Sequence, residues 1–365
     1  MMKKNELLFP LLLISLFLIL PSCSTGSTVK TEEYAGTESI VVDYLGREVA
    51  VPQEVNRIAT LYAFAGHVVT MLGEGEKIVA GVNGLLRDHL LTAINPSIQD
   101  ISVPYRSNKV NIEELANANP DLIFVQESTA RDEGERRKLD ELNIPYLVVS
   151  FNSIKQQQQS IEMIGQALGK TKEAKEYIQF YNEMISLVSE RLKELPEGDR
   201  VRVYHSVNEA TRTEPADSLP AQWLKVAGAH NVVEDDNLKL VNDKYIANLE
   251  QIILWDPDVI LVNEDGVADY ILKGSQWKTI KAVNSKSVYQ LPNGVSRWGH
   301  PGGMETPLAI LWTAKTLYPA LFEDIDLKEV TAKFYQDFFN YDLAPELIDK
   351  VLSGEDMRIQ KGENK

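Results

Sequence analysis

Cysteine is nearly absent from this chain. Its 365 residues hold one, Cys23, so no disulfide within the chain can staple the fold. The motifs of the commoner catalytic chemistries are missing too. No GxSxG turn raises a serine nucleophile, no P-loop cradles phosphate, and no GxGxxG opens a helix after a strand. The five histidines are scattered, none at the spacing of a short metal motif such as HExxH. Positive charge is scarce: 37 Lys and Arg stand against 53 Asp and Glu, for a net charge of −16. With no basic tract, nucleic acid is not an expected partner. Long apolar runs are lacking after residue 20. The one before it, Leu7 to Leu20, has fourteen residues, fewer than the ~20 that span a bilayer as a helix.

What is present begins at the N-terminus. Lys3 and Lys4 precede that apolar run, and "LPSC" follows it, ahead of the polar "STGSTVKTEEYAGTES". The order is that of an export signal. The stretch ending in Cys23 resembles a bacterial lipobox, with Pro21 where a small or β-branched residue is usual. That resemblance implies a lipoprotein signal peptide over 1–22, an acylated Cys23 and a flexible tether over 23–38. The mature protein is then lipid-anchored to the outer face of the cell membrane. An anchor also accounts for a cysteine without a disulfide partner.

From about residue 39, β-branched runs alternate with helical patterns. "RIATLY", "KIVAGV", "DLIFVQ" and "YLVVSF" read as strands in the first half, and "RVRVYHS", "DVILVNE" and "SVYQLP" in the second. Such alternation predicts parallel sheets covered on both faces. One internal match is specific. "NIEELANANPDLIFV" (111–125) aligns without gaps to "NLEQIILWDPDVILV" (248–262). A repeated helix, turn and strand means two related lobes. Between them, 171–195 places Ala174, Tyr177, Ile178, Tyr181, Ile185, Val188, Leu192 and Leu195 at helical spacing. One long helix is predicted to join the lobes. The predicted layout is an N-terminal α/β lobe over 39–153, connecting helices over 154–198, a C-terminal α/β lobe over 199–356 and a polar tail over 357–365.

The twinned segments, "GEGEKIVAGV" and "METPLAILWTAKTLYPALF" make the chain resemble the substrate-binding proteins of ABC importers for ferric siderophores, haem, cobalamin and other metal chelates. The resemblance implies an α/β fold of two doubly wound parallel-sheet lobes, joined by one long α-helix, with the ligand in the cleft between them. It implies a transport component rather than an enzyme, a monomer, and no cofactor. The implied ligand is a metal chelate, an iron(III)-siderophore type first. Haem, a corrinoid, an oxyanion and a free transition metal held by histidines stay open, and a metal-dependent hydrolase is a weaker alternative. Partners implied are a permease with its ATPase subunit. Glu113 and Glu250, equivalent in the two repeats, would dock on permease arginines.

In open α/β sheets, ligands gather beyond the carboxyl ends of the strands. The loops there carry Tyr62, Arg87, Tyr105 and Arg106 in the first half, and Arg212, Arg297, Trp298 and His300 in the second. Arginines gathered in an acidic protein point to an anionic ligand. The aromatic rings can pack on a chelate face, and His300 is a possible metal ligand. "GVSRWGHPGGMETP" (294–307) is the predicted ligand platform, led by Arg297 and Trp298. Glu305 has two readings: it reaches the cleft, or, the one favoured, it only places charge at the N-terminus of the helix that follows.

Overall fold

The computed structural model describes residues 38–233, 238–241 and 244–359. The predicted export segment and Cys23 lie outside the described residues. The fifteen-residue twin folds the same way twice. The Asn111 side chain caps the helix Ile112–Asn117 by accepting from the Glu114 N–H at 3.1 Å. Asn248 caps the helix Leu249–Trp255 by accepting from the Gln251 N–H at 2.8 Å. Asn119 and Asp256 hold equivalent positions and both turn left-handed, at φ 48° and 42°. The following proline stops each helix. Arg57 Nη2 then donates to the Ala118 carbonyl and Arg202 Nη2 to the Trp255 carbonyl, each at 2.7 Å. Asp121 accepts from the Arg57 N–H at 2.9 Å and Asp258 from the Arg202 N–H at 3.2 Å. Each arginine thus ties a helix end to the start of a central strand.

The strands run in chain order from a hairpin, β1 (Glu38–Val42) and β2 (Glu48–Pro52), through the first lobe. There β3 (Ile58–Thr60), β4 (Ile78–Val82), β5 (Ser102–Arg106), β6 (Lys109–Val110), β7 (Leu122–Gln126) and β8 (Tyr146–Val149) make one sheet. Its order is β6-β5-β4-β3-β7-β8, parallel except for the short edge strand β6. The second lobe adds β9 (Arg202–Ser206), β10 (Arg212–Thr213), β11 (His230–Asn231), β12 (Lys239–Val241), β13 (Lys244–Ile246), β14 (Val259–Val262) and β15 (Val288–Gln290). Its main sheet, β11-β9-β14-β15, is parallel, and β10, β13 and β12 form a small antiparallel sheet beside it. The strand order reverses between β3 and β7 in one lobe and between β9 and β14 in the other. Those reversals open the crevices in which such folds bind ligands.

The long helix is Thr171–Leu192, one turn shorter than its apolar pattern predicts. It buries Ala174, Tyr177, Tyr181, Val188 and Leu192. A single apolar core runs from Phe64 and Val68 of the first lobe, past Tyr177 and Tyr181, to Trp223, Leu308 and Leu311 of the second. Lobe separation would expose that core to water, which disfavours large hinge motion.

Candidate functional site in the cleft between the lobes

The loop after β15 carries most of the predicted site, and its shape comes from one buried carboxylate. Glu305 is fully buried where the helix Thr306–Leu317 begins. Its Oε1 accepts from the Val295 N–H at 2.8 Å and the Tyr335 hydroxyl at 2.6 Å. Its Oε2 accepts from the Ser296 N–H at 2.9 Å and from the Ser296 hydroxyl. Burial pushes the Glu305 carboxyl up, while Ser296 and Tyr335 oppose that shift. Gly294 is needed because a β-carbon there would lie 1.7 Å from the Tyr335 oxygen. The far side of the loop rests on the connecting helices. Gln157 Nε2 donates to the Gly303 carbonyl at 2.8 Å, and the Tyr177 hydroxyl donates to the Met304 carbonyl. So Glu305, at the N-cap, makes no side-chain hydrogen bond to the helix terminus; its carboxylate folds back to satisfy the loop. Glu305→Ala strands four buried donors, a change that costs about 3–5 kcal/mol. Urea unfolding should show that loss; a deficit under about 1 kcal/mol would refute the role.

The pinned loop projects Arg297 toward the ends of β9 and β14. Its Nη1 donates to Asn208 Oδ1, after β9, and to Glu264 Oε2, after β14. Arg87, on the loop after β4, reaches across from the first lobe, with Nη2 3.8 Å from Glu264 Oε1. Arg87, Glu264 and Arg297 are 8%, 17% and 11% exposed at their side chains, so the group is nearly buried. Arg212 lies 3.8 Å from Glu214. Arg358, near the chain's end, meets Asp88 at 3.3 Å. The Nε groups of Arg212, Arg297 and Arg358 are buried with no acceptor among the described residues. Burial lowers Arg297 to about 10, with repulsion from Arg358 and Arg87 adding to it and Glu264 opposing. It still carries its charge at neutral pH. Burial lifts Glu214 to about 7, against the pull of Arg212. Four arginines thus face three carboxylates, one of them half-protonated near neutral pH. The balance is positive in a protein that is acidic overall.

His300 sits beside them. Burial, then Arg297, Arg358 and Arg212, drive its basicity well below normal, so the ring is neutral. Its Nδ1 accepts from the Gly302 N–H at 3.0 Å. The proton therefore belongs on Nε2, which makes that nitrogen a donor. Metal ligation through Nε2 would require a proton on Nδ1, facing the Gly302 N–H donor. Among the described residues, no group of three or more His, Cys, Asp or Glu side chains could hold a metal ion.

Not every predicted residue joins the group. Trp298 is wholly buried in the core that spans the lobes, so its ring offers no face to a ligand. Gly299, the next residue, turns left-handed at φ +73°. Tyr105 donates to or accepts from Thr129 at 2.9 Å, and Arg106 turns out to Glu114 at 3.0 Å. Both sit at the edge of the first sheet. Tyr62 is partly buried, and its hydroxyl is 3.3 Å from where a β-carbon on Gly302 would stand. His205 is sealed under Trp223, its ring pushed down to about 3 by burial. Of the docking pair, Glu113 and Glu250 are both exposed. Glu264, Asp88 and Arg358 were missed. Asn208 and Glu264 lie on loops that the strand-end rule already marks. Arg358 carried no sequence signal.

A family model described as "Periplasmic binding protein" matches residues 58–295. The chain is 26% identical over 334 residues to the molybdate-binding protein MolA of Haemophilus influenzae, covering 85% of this chain and 93% of that one. The crystal structure of MolA bound to molybdate superposes with a TM-score of 0.76 at 25% identity, over 84% of this chain and 99% of that chain. The ABC transporter substrate-binding lipoprotein YvrC of Bacillus subtilis is 24% identical over 302 residues, 81% of this chain and 89% of that one.

Proposed function

The chain belongs to the periplasmic binding protein family, and from that premise we propose that it is the solute-binding component of an ABC importer whose ligand is a small oxyanion of the molybdate class. The observation that carries the reading is the cleft arginine group. Arg87 comes from one lobe and Arg297 and Arg212 from the other, with buried N–H groups that lack an acceptor among the described residues. Buried donors without partners are costly, and an anion with several oxygens satisfies several at once. The neutral His300, with Nε2 as its donor, adds a further N–H rather than a metal ligand. The likeness to MolA supports the same class. An iron(III) chelate, the first expectation from the sequence, would find neither the Trp298 face nor a histidine lone pair. Delivery is by docking on the permease through Glu113 and Glu250, and the likeness to a lipoprotein supports anchoring through Cys23.

Titration calorimetry on the purified full-length protein tests this. Molybdate and tungstate should bind at one per chain with Kd on the order of micromolar or tighter. Ferric siderophores, haemin and cobalamin should bind weakly or not at all. Tight binding of one of these, with none of molybdate, would overturn the reading. Affinity should also rise as pH falls from 8 to 6. Glu214 titrates near 7, and its neutral form leaves the Arg212 charge uncompensated. An anion favours that form and so takes up a proton on binding.

A further inference from the structure

The second lobe ends with the helix Pro345–Ser353, yet the chain does not stop there. It turns at Gly354, φ +72°, so close to β15's exit that a β-carbon would lie 2.2 Å from the Leu291 carbonyl. The next residues cross to the first lobe. His89 Nδ1 lies 2.9 Å from the Asp356 carbonyl. The His89 N–H donates to the Met357 carbonyl at 3.0 Å, and the Ile359 N–H to the Arg87 carbonyl at 2.9 Å. Arg87 Nε returns a bond to the Ile359 carbonyl at 2.7 Å. Met357 is buried, 2% exposed. The sequence had put the start of a polar tail at 357; three of those residues form a strap along the loop that carries Arg87.

Arg358 sits in the middle of this strap. Its Nη1 meets Asp88 at 3.3 Å and its Nη2 donates weakly to the Gly84 carbonyl at 3.4 Å. Asp88 is 1% exposed and also lies 3.5 Å from His67 Nε2, so Arg358 is held by a fixed partner. Its Nε is buried and has no acceptor among the described residues. The field of Arg358 is felt at Arg87, Arg297 and His300 alike, which places it among the groups that would meet an anion. A role limited to strap anchoring would not need a charge this close to two other arginines, because like charges repel.

We infer that Arg358 is a ligand-binding residue, and that the strap over 354–359 completes the anion site by carrying this arginine from the second lobe onto the first. The inference rests on the oxyanion reading above. It means the site is assembled from both lobes and from the end of the chain, and that fusions or truncations at the C-terminus act on binding.

Arg358→Ala and Arg358→Lys in the full-length protein test it, with molybdate titrated at several ionic strengths. Arg358→Ala should weaken binding roughly 10- to 100-fold, the effect of losing one charged hydrogen bond, and should flatten the salt dependence of Kd. Arg358→Lys should restore the salt dependence and most of the affinity. Amide exchange at His89 and Ile359 should stay slow in the lysine variant. If the wild type binds molybdate and Arg358→Ala binds equally well, the strap assignment falls and the oxyanion reading stands. It falls also if affinity is lost with the salt dependence unchanged and both amides exchanging fast, since that marks a purely structural residue. If the wild type binds no oxyanion, the reading of the site fails first and takes this inference with it.

Discussion

Replacing Arg297 with alanine should weaken oxyanion binding by about 100- to 5000-fold while leaving the fold in place. The loop that carries it is pinned independently, by Glu305 from one side and by Gln157 and Tyr177 from the other. Truncation therefore removes a side chain without collapsing its backbone. Two losses then add. The anion loses charge-assisted hydrogen bonds, and Glu264 loses the guanidinium that neutralises it. A carboxylate left unpaired beside an anion repels it, and breaking such a buried pair costs about 3–5 kcal/mol. The two losses separate in the double variant Arg297→Ala/Glu264→Gln, which should recover part of the affinity. Arg297→Lys should recover little, because an ammonium cannot fork between Asn208, Glu264 and a ligand oxygen. Calorimetry reads all three. A loss of less than fivefold in Arg297→Ala would place the ligand elsewhere in the protein.

Much of this architecture could be read from the sequence because its cues are local. β-branched runs set β3, β4, β7, β8, β9 and β14 to within a residue or two of where they fall. The twin segments share a cap, a proline and an aspartate, all of which act over a few residues, so their likeness in sequence became likeness in structure. The strand-end rule pointed to the segments after β4, β9 and β15, which carry Arg87, Arg212 and Arg297. What failed was everything decided by enclosure. "GVSRWGHPGG" has no period, so nothing in it tells that Trp298 turns inward while Arg297 turns to the cleft. Glu305 looked like a helix-start charge, because the donors that fill it come from residues nine, ten and thirty positions away. Tyr105 and Arg106 are the last two residues of a real strand, β5, and pair there with the short antiparallel edge strand β6 at the sheet margin. Arg358 lies on a segment of no hydrophobic pattern, and its place depends on a crossing between lobes.

The largest effect on transport should come from the double variant Glu113→Ala/Glu250→Ala. Each glutamate stands in the first turn of a helix built on the same plan: an asparagine cap, a left-handed stop, and an arginine tying the helix end to a central strand. The two helices are thus held by equivalent joints, one per lobe, and carry one exposed carboxylate each. The neighbouring Glu114 is occupied. Its Oε1 accepts from the Val103 N–H at 3.1 Å and its Oε2 from Arg106 at 3.0 Å. Glu113 makes no ion pair with a described residue and is free for an outside cation, and so is Glu250. Arginine forks on a partner would engage such carboxylates in pairs, and truncating one member of an interfacial charge pair costs about 2–5 kcal/mol. Two such losses should leave no measurable molybdate uptake in cells. Neither residue reaches the cleft arginines through any contact, so Kd for molybdate should stay within about twofold of wild type, since independent sites couple by only about 0.5 kcal/mol. Glu114→Ala is the control: it removes a strand tie and should lower stability more than uptake. Wild-type uptake by the double variant would sink the docking assignment, and so would a variant that stops transport because it no longer binds.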